Sequence, residues 1–372
     1  MTFSTRKLRY AIFAGFFLCA LTSTDSSAFP WPESSLTAVL APSSDAEEPA
    51  AANAGLRGAT LAPIADRIVG GEFDFVVAEG NSFTSIGSRF GESPKILARE
   101  NGQQVTDRLK AGETIHIDNR HIVPLEASDL IEVNLPQRML FHFECGRLSG
   151  AYPVAIGQPG KQWQTPIGWL SVIQMREDPT WRVPASIQRE EEEQGKEVAD
   201  EIEPGPNNPL GKYWIGLSFP VIGIHGTNHP ISVYSYRTHG CVRLHPEDIE
   251  ALFNAINLND LGEIVYFPMM LAHLDDGRVF LESERDIYHK GKGGIEAVRA
   301  LAQANRIDDQ IDWFRADEVA NDEEGIARDV TLSCERAAGP SVDPFAATTS
   351  KRTLTVANHA SRGLITVVLP PQ

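Results

Sequence analysis

The sequence predicts a mainly β protein with some α, arranged as a small module followed by a larger one. Three observations carry that reading. Residues 73–118 follow a strand, helix, helix, strand pattern. Residues 131–267 hold short apolar runs, several of them alternating with the period of two that half-buried strands require. One strong helical face, Ile249, Leu252, Phe253 and Ile256, lies among those runs. With 372 residues, 42% hydrophobic and 22% charged, the chain has the balance of a soluble globular protein of more than one domain. Its formal charge of −17 argues against a nucleic-acid partner, which would need a basic face. An anionic substrate held by a few local cations remains compatible with it.

The N-terminus reads as an export signal. Arg6, Lys7 and Arg9 precede an apolar run from Ala11 to Leu21, and Ser26-Ser27-Ala28 supplies small residues for cleavage. The run is short for a membrane span, which needs about 20 residues, so cleavage after residue 28 is expected in preference to an uncleaved anchor. Cys19 follows the bulky Leu18, which disfavours a lipid-modified cysteine. The mature protein is therefore expected in the periplasm. Residues 29–66 are rich in Ala, Pro, Ser and Glu without sustained periodicity, and predict a flexible tether.

The first module spans 73–119. Phe75-Val76-Val77 reads as a strand. Phe83, Ile86 and Phe90 have roughly helical spacing, Pro94, Ile96, Leu97 and Asn101 suggest a second helix, and Ile115 and Ile117 close with a strand. This βααβ pattern resembles a LysM module, whose family grips glycans containing N-acetylglucosamine. Asn81-Ser82-Phe83 stands where Asp-Thr-Leu is common in that family, which leaves open a module that binds glycan and one that only packs against its neighbour.

The second module spans 125–270. Ile131–Leu135, Met139–Cys145, Tyr152–Gly157, Trp169–Ile173, Tyr213–Phe219, Val221–His225 and Glu263–Phe267 predict strands. Glu190–Glu193 and Glu197–Glu203 form an acidic stretch between Trp181 and Pro204, either a solvated helix face or a lid. Pro246 with Glu247 and Asp248 starts a helix, since proline suits the first turn and acids the positive dipole end.

Between the last two strands lies the stretch that carries chemistry. It holds His225, Gly226 and Thr227, then Thr238, His239, Gly240, Cys241 and Arg243. A thiol with two imidazoles and a cation nearby suits nucleophilic acyl transfer. A neighbouring imidazole lowers a thiol pKa from about 8.5 toward neutrality or below. In an extended strand His239 and Cys241 would share one side, and a returning strand would bring His225 beside them. Gly240 lets backbone N–H groups approach an oxyanion, and Arg243 offers a fork for a carboxylate. His225, His229, His239, Cys241 and His245 also cluster in sequence, but at spacings of no common zinc motif. Neither a metal nor a cofactor is expected.

The stretch resembles the catalytic motif of the L,D-transpeptidase (YkuD) family: a histidine, a spacer, then Ser/Thr-His-Gly-Cys, a hydrophobic residue, and Arg or Asn. Here these are His225, then Thr238-His239-Gly240-Cys241, Val242 and Arg243. Thr165-Pro166-Ile167-Gly168, Pro179-Thr180-Trp181 and Asn208-Pro209-Leu210-Gly211 are familiar from its periplasmic proteobacterial members, and a LysM-like module fits the same group. The resemblance covers 73–290. It implies a β-rich catalytic domain and a cysteine acyltransferase of peptidoglycan, with Cys241 as nucleophile and His225 as base. The Gly226 carbonyl would orient His225, and the Gly240 and Cys241 amides would form the oxyanion hole. His239, Thr238 and Thr227 would line the site, and Arg243 would hold a substrate carboxylate. The expected donor is a tetrapeptide stem, attacked at its third residue, meso-diaminopimelate, with release of D-alanine. The acceptor is an amine, from a second stem, an outer-membrane lipoprotein or a free D-amino acid. Water as acceptor would make an L,D-carboxypeptidase, and a silent site would leave a wall-binding protein. Inhibition by carbapenems is expected.

The C-terminal part, 271–372, is an extension whose role the sequence leaves open. It predicts one amphipathic helix (Ile295, Val298, Leu301, Ala302), an acidic segment over Asp308–Glu324, and a strand over Leu364–Leu369. After signal removal three cysteines remain, and the expectation is that Cys145 and Cys334 pair, leaving Cys241 as a free thiol.

Overall fold

The computed structural model describes residues 62–124, 130–196, 199–333, 353–357 and 364–368. The expected export signal and residues 29–61 of the expected tether lie outside that set. Residues 62–66 do not belong to a tether. Ala62 and Ala65 are buried, and Ala65 bonds Leu271 O and His273 N on either side.

The first module is built from β1 (Ile68–Val69), β2 (Glu72–Val76), α1 (Phe83–Phe90), α2 (Pro94–Glu100), β3 (Thr114–Asp118) and β4 (His121–Ile122). β2 pairs antiparallel with β3, which is the βααβ order the sequence predicts. Ser82 caps α1 with a reciprocal Ser85 bond, and Gly91 ends it in the left-handed conformation (φ 76°). Phe83, Ile86, Leu97, Ile115 and Ile117 fill the space between helices and strands. β1 pairs with β4.

The second module continues as β5 (Leu130–Asn134), β6 (Met139–Glu144), β7 (Arg147–Pro153), β8 (Ile156–Gly157), β9 (Gly168–Glu177), β10 (Trp181–Arg182), α3 (Ala185–Glu193), β11 (Glu201–Ile202), β12 (Tyr213–Leu217), β13 (Gly223–His225), β14 (Tyr236–Thr238), β15 (Val242–Arg243), α4 (Pro246–Ala255) and β16 (Leu261–Val265). Eight strands form one sheet in the order β15-β13-β12-β9-β16-β5-β6-β7. The β13–β15 and β16–β5 pairs are parallel, and the remaining neighbours in it are antiparallel. One face packs α4 through Ile249, Leu252 and Ile256 against Ile131, Val133, Ile215, Ile224 and Val242. At about 1.5–3 kcal/mol for each large aliphatic side chain removed from water, this layer is the main support of the sheet edge that carries the motif. Arg89 of α1 bonds Asp248 at the start of α4 (2.9 Å), joining the two modules.

The boundary expected at residue 270 is crossed by the chain. β17 (Met269–His273) begins within the expected catalytic domain and forms a three-stranded sheet with β18 (Val279–Ser283) and β19 (Arg328–Asp329). The helices α5 (Gly294–Ala304) and α6 (Trp313–Asp322) pack against it through Val298, Ala302 and Ala316. Two further strands, β20 (Thr353–Ala357) and β21 (Leu364–Val368), pair antiparallel, so the strand expected at 364–369 is present. Met270, Ala272 and Phe280 share a core with Ala62, Ala65 and Ile122, so residues 269–332 are an integral layer of the fold.

A buried charged cluster ties the layers together. Glu282 of β18 accepts from Ile122 N (2.6 Å) and from Gln137 (3.0 Å), and pairs with His121 Nδ1 at 2.8 Å. His121 Nε2 lies 2.8 Å from the Gly91 carbonyl. Both partners of the ring are acceptors, so His121 carries two N–H groups and a positive charge. Burial opposes that charge, but the Glu282 carboxylate outweighs it and raises the pKa above 6.5. Glu284 pairs with Arg138 at 3.0 Å, and Arg138 lies over the Tyr234 ring. Two carboxyl groups thus meet two cations in the interior of the fold.

Candidate active site

The site grows from the edge of the sheet. Trp214, His225 and Arg243 are in register across β12, β13 and β15, so they share the face opposite the α4 core. Trp214 stacks on His225 with ring centroids 6.0 Å apart. His225 is buried, and its Nδ1 lies 2.6 Å from the Gly226 carbonyl. A carbonyl only accepts, so Nδ1 carries the hydrogen and Nε2 keeps its lone pair.

Cys241 stands immediately before β15. Gly240 ahead of it has φ +113°, and a Cβ there would meet Ile222 Cδ1 at 2.8 Å. The motif therefore turns at Gly240, and His239 and Cys241 do not share one side of an extended strand as the sequence suggests. The Cys241 thiol lies 3.7 Å from the Val221 carbonyl and donates toward it. Val221, at the turn between β12 and β13, is 90% exposed with φ 58°. That is a strained conformation for a β-branched residue, costing roughly 1–3 kcal/mol.

The protonation states also differ from expectation. Burial, then the Arg243 charge, hold the His225 pKa down to about 3. Burial raises the Cys241 thiol above 9.0, although the Gly223 amide and Arg243 pull the other way. Both shifts favour a neutral thiol and a neutral imidazole on the one cavity wall, rather than the activated thiolate that a charged histidine would produce. Desolvation outweighs Arg243 at the thiol and acts with it at the imidazole, so the proton must move when substrate arrives.

The remaining motif residues divide. Thr238 is buried; its hydroxyl donates to Cys241 O (2.6 Å) and accepts from Gly240 N (3.2 Å). The Gly240 amide is thus committed to Thr238 rather than open to an oxyanion. Thr227 is buried away from the cavity wall, and its hydroxyl accepts from His229 N at 2.9 Å, so it does not line the site as expected. Arg243 donates to Ser232 Oγ (2.9 Å), and its buried Nε has no partner. His239 Nε2 lies 2.9 Å from Glu190 Oε2 on α3, with the Trp163 ring edge-on at 5.1 Å.

The acidic stretch is therefore part of the site. α3 has no buried residue and stands over the sheet face on a stem made by β10 and β11. Buried Asn208 holds the stem by donating to Pro179 O (2.7 Å) and Ile202 O (3.2 Å), while its Oδ1 accepts from Leu210 N (2.9 Å). Between α3 and the sheet is a cavity of about 1530 Å³, walled by Cys241, His225, His239, Arg243, Trp214 and Glu190 among others. From the other side, Thr165 Oγ1 accepts from Gly157 N (2.9 Å) and Tyr288 donates to Gly157 O (2.5 Å), bracing β8, which pairs with β14 beneath His239.

Three residues of the site, Glu190, Trp214 and Ser232, have no place in the sequence motif. Of these, Glu190 alone carries a sequence signal, through the acidic run and its reading as a lid. The histidines that cluster in sequence do not converge on a metal site. Among the described residues, His121, Glu282 and Glu284 bring ligand atoms within 4.8 Å of one another. Those atoms are already engaged by Gln137, Arg138 and the Ile122 amide. Cys334 lies outside the described residues, and the expected Cys145–Cys334 pair with it.

Residues 128–266, which contain this whole motif, match the YkuD family of L,D-transpeptidase catalytic domains. The chain is 32% identical over 139 residues to the putative L,D-transpeptidase YqjB of Bacillus subtilis, covering 36% of this chain and 69% of that one. It is 27% identical over 226 residues to the probable L,D-transpeptidase ErfK/SrfK of Salmonella typhimurium, covering 60% and 72%. Among solved structures, the catalytic domain of the Enterococcus faecium L,D-transpeptidase is similar at 19% identity, with a TM-score of 0.29, covering 38% and 98%. The chain belongs to the L,D-transpeptidase (YkuD) family. It is a transferase of that class.

Proposed function

We propose that the protein is a peptidoglycan L,D-transpeptidase in which Cys241 is the nucleophile and His225 its base. The observation that carries this reading is the pairing of His225 with the Gly226 carbonyl (2.6 Å), which leaves Nε2 basic on the cavity wall that also presents the Cys241 thiol. As the thiol attacks the carbonyl of the third stem residue, meso-diaminopimelate, Nε2 takes its proton and passes it to the departing D-alanine nitrogen. The product is a thioester on Cys241. An amine acceptor then displaces Sγ, giving a crosslink between stems, attachment of a lipoprotein, or exchange for a D-amino acid. The orphan Nε–H of Arg243 supports a substrate carboxylate at that corner.

For the oxyanion, the Cys241 amide is the favoured donor, and the Gly240 amide joins it once Thr238 releases it. The export signal supports a periplasmic setting. The βααβ order of the first module, which resembles LysM, supports a role in holding glycan.

The test is intact-mass spectrometry after exposure to a carbapenem, with Cys241→Ala in parallel. An enzyme acylated by ertapenem is known from Enterococcus faecium. The expected result is one adduct on the native protein and none on the variant. A folded, reduced protein that takes up no adduct would withdraw the assignment of Cys241.

A further inference from the structure

We propose that Glu190 is a positioning residue for the acceptor half of the reaction, fixing His239 so that Nδ1 removes a proton from the incoming ammonium. The inference rests on the reading of Cys241 as the acylated residue.

The pair is built from two distant parts of the chain. Glu190 comes from α3, His239 from the turn that delivers Cys241, and their side chains meet at 2.9 Å. A carboxylate accepts, so Nε2 carries the hydrogen and Nδ1 becomes the basic nitrogen. Trp163 meets the same ring edge-on and restrains its tilt. The pair opens on the cavity that holds Cys241, flanked by Arg189 and Glu193 on α3, Arg237 on β14 and Arg243 on β15.

His225 alone leaves one proton unaccounted for. Its Nδ1 is bound to the Gly226 carbonyl, so it has a single basic nitrogen. An amine acceptor arrives at neutral pH as an ammonium, without a lone pair. In the proposed step, the ammonium first gives a proton to His239 Nδ1, and Glu190 holds the resulting imidazolium. The freed lone pair forms the C–N bond at the thioester carbonyl. The second nitrogen proton passes to His225 Nε2. The C–S bond then breaks, its electrons return to Sγ, and Sγ takes that proton from His225. His239, partly exposed, releases its own proton to water.

The test uses the full mature protein and Glu190→Gln, which keeps the side-chain shape and the exposed helix. Three rates are compared: acylation by a carbapenem, transfer of a tetrapeptide stem to D-methionine (an ammonium), and transfer to hydroxylamine, which is uncharged at neutral pH. Transfer to D-methionine should fall about tenfold or more relative both to acylation and to transfer to hydroxylamine. Glu190→Asp should restore part of the loss. Equal losses with both acceptors, a parallel loss of acylation, or no loss would overturn the proposal. Absence of any adduct on the native protein would instead overturn the assignment of Cys241.

Discussion

At the scale of single residues, burial sets the chemistry more than any neighbour does. His225 is held near 3, so it stays an unprotonated base through the neutral and mildly acidic range. The rate of carbapenem acylation should therefore keep its acid limb close to that value; a limb centred near 6.5 would show that His225 is hydrated and ordinary. His225→Gln should slow acylation by about 10²–10⁴, the usual worth of a positioned base. Gly240 is a second such point. Gly240→Ala would place a Cβ 2.8 Å from Ile222 Cδ1 at a positive φ, costing roughly 1–3 kcal/mol and displacing the thiol. Thermal unfolding together with acylation rate would show both effects.

At the scale of elements, the α3 segment over the cavity depends on one buried amide. Asn208→Ala removes donors from Pro179 O and Ile202 O and an acceptor from Leu210 N, each loss worth about 1–3 kcal/mol where the partner stays buried. Hydrogen exchange should then rise across β10, α3 and β11 and remain slow in β12 and β16; unchanged exchange in α3 would mean that the β10–β11 stem suffices. The same elements mark what a sequence can and cannot tell. The strands and α4 are legible because their apolar period matches their burial. Glu190 is half-legible: a run of glutamates announces an exposed helix, but not which of them meets His239, since that depends on a fold-back over 49 residues. The turn at Gly240 reads as extended because alternation in sequence says nothing of a positive φ. Spacing likewise predicts an activated thiol, since it shows which groups are near and not how dry they are.

For the whole molecule, the surprise is the segment from residue 271, which reads in sequence as an extension of open role, and in particular its Glu282 and Glu284. They are buried, and their partners lie some 145–161 residues upstream in Gln137, Arg138 and His121. His121 has a raised pKa, so its pairing with Glu282 contributes stability that is fully present below about pH 6.5 and is lost as pH rises through the folded-state value. Glu284, pushed up to about 7 by burial, acts in the same direction. The thermal midpoint should therefore decline toward alkaline pH. Glu282→Gln should flatten that decline while lowering stability by about 3–5 kcal/mol. A native midpoint level across that range would sink the assignment of charge to His121.

The placement of those two glutamates also has a consequence in time. A chain is made N-terminus first. When the motif around Cys241 has emerged, His121 and Arg138 still lack their counter-charges, Gln137 lacks its acceptor, and Tyr288 is not there to brace β8. The nucleophile thus exists as sequence before it exists as a site. The segment from Met269 to Tyr288 acts as a keystone, and the catalytic edge is complete only once it too has been made.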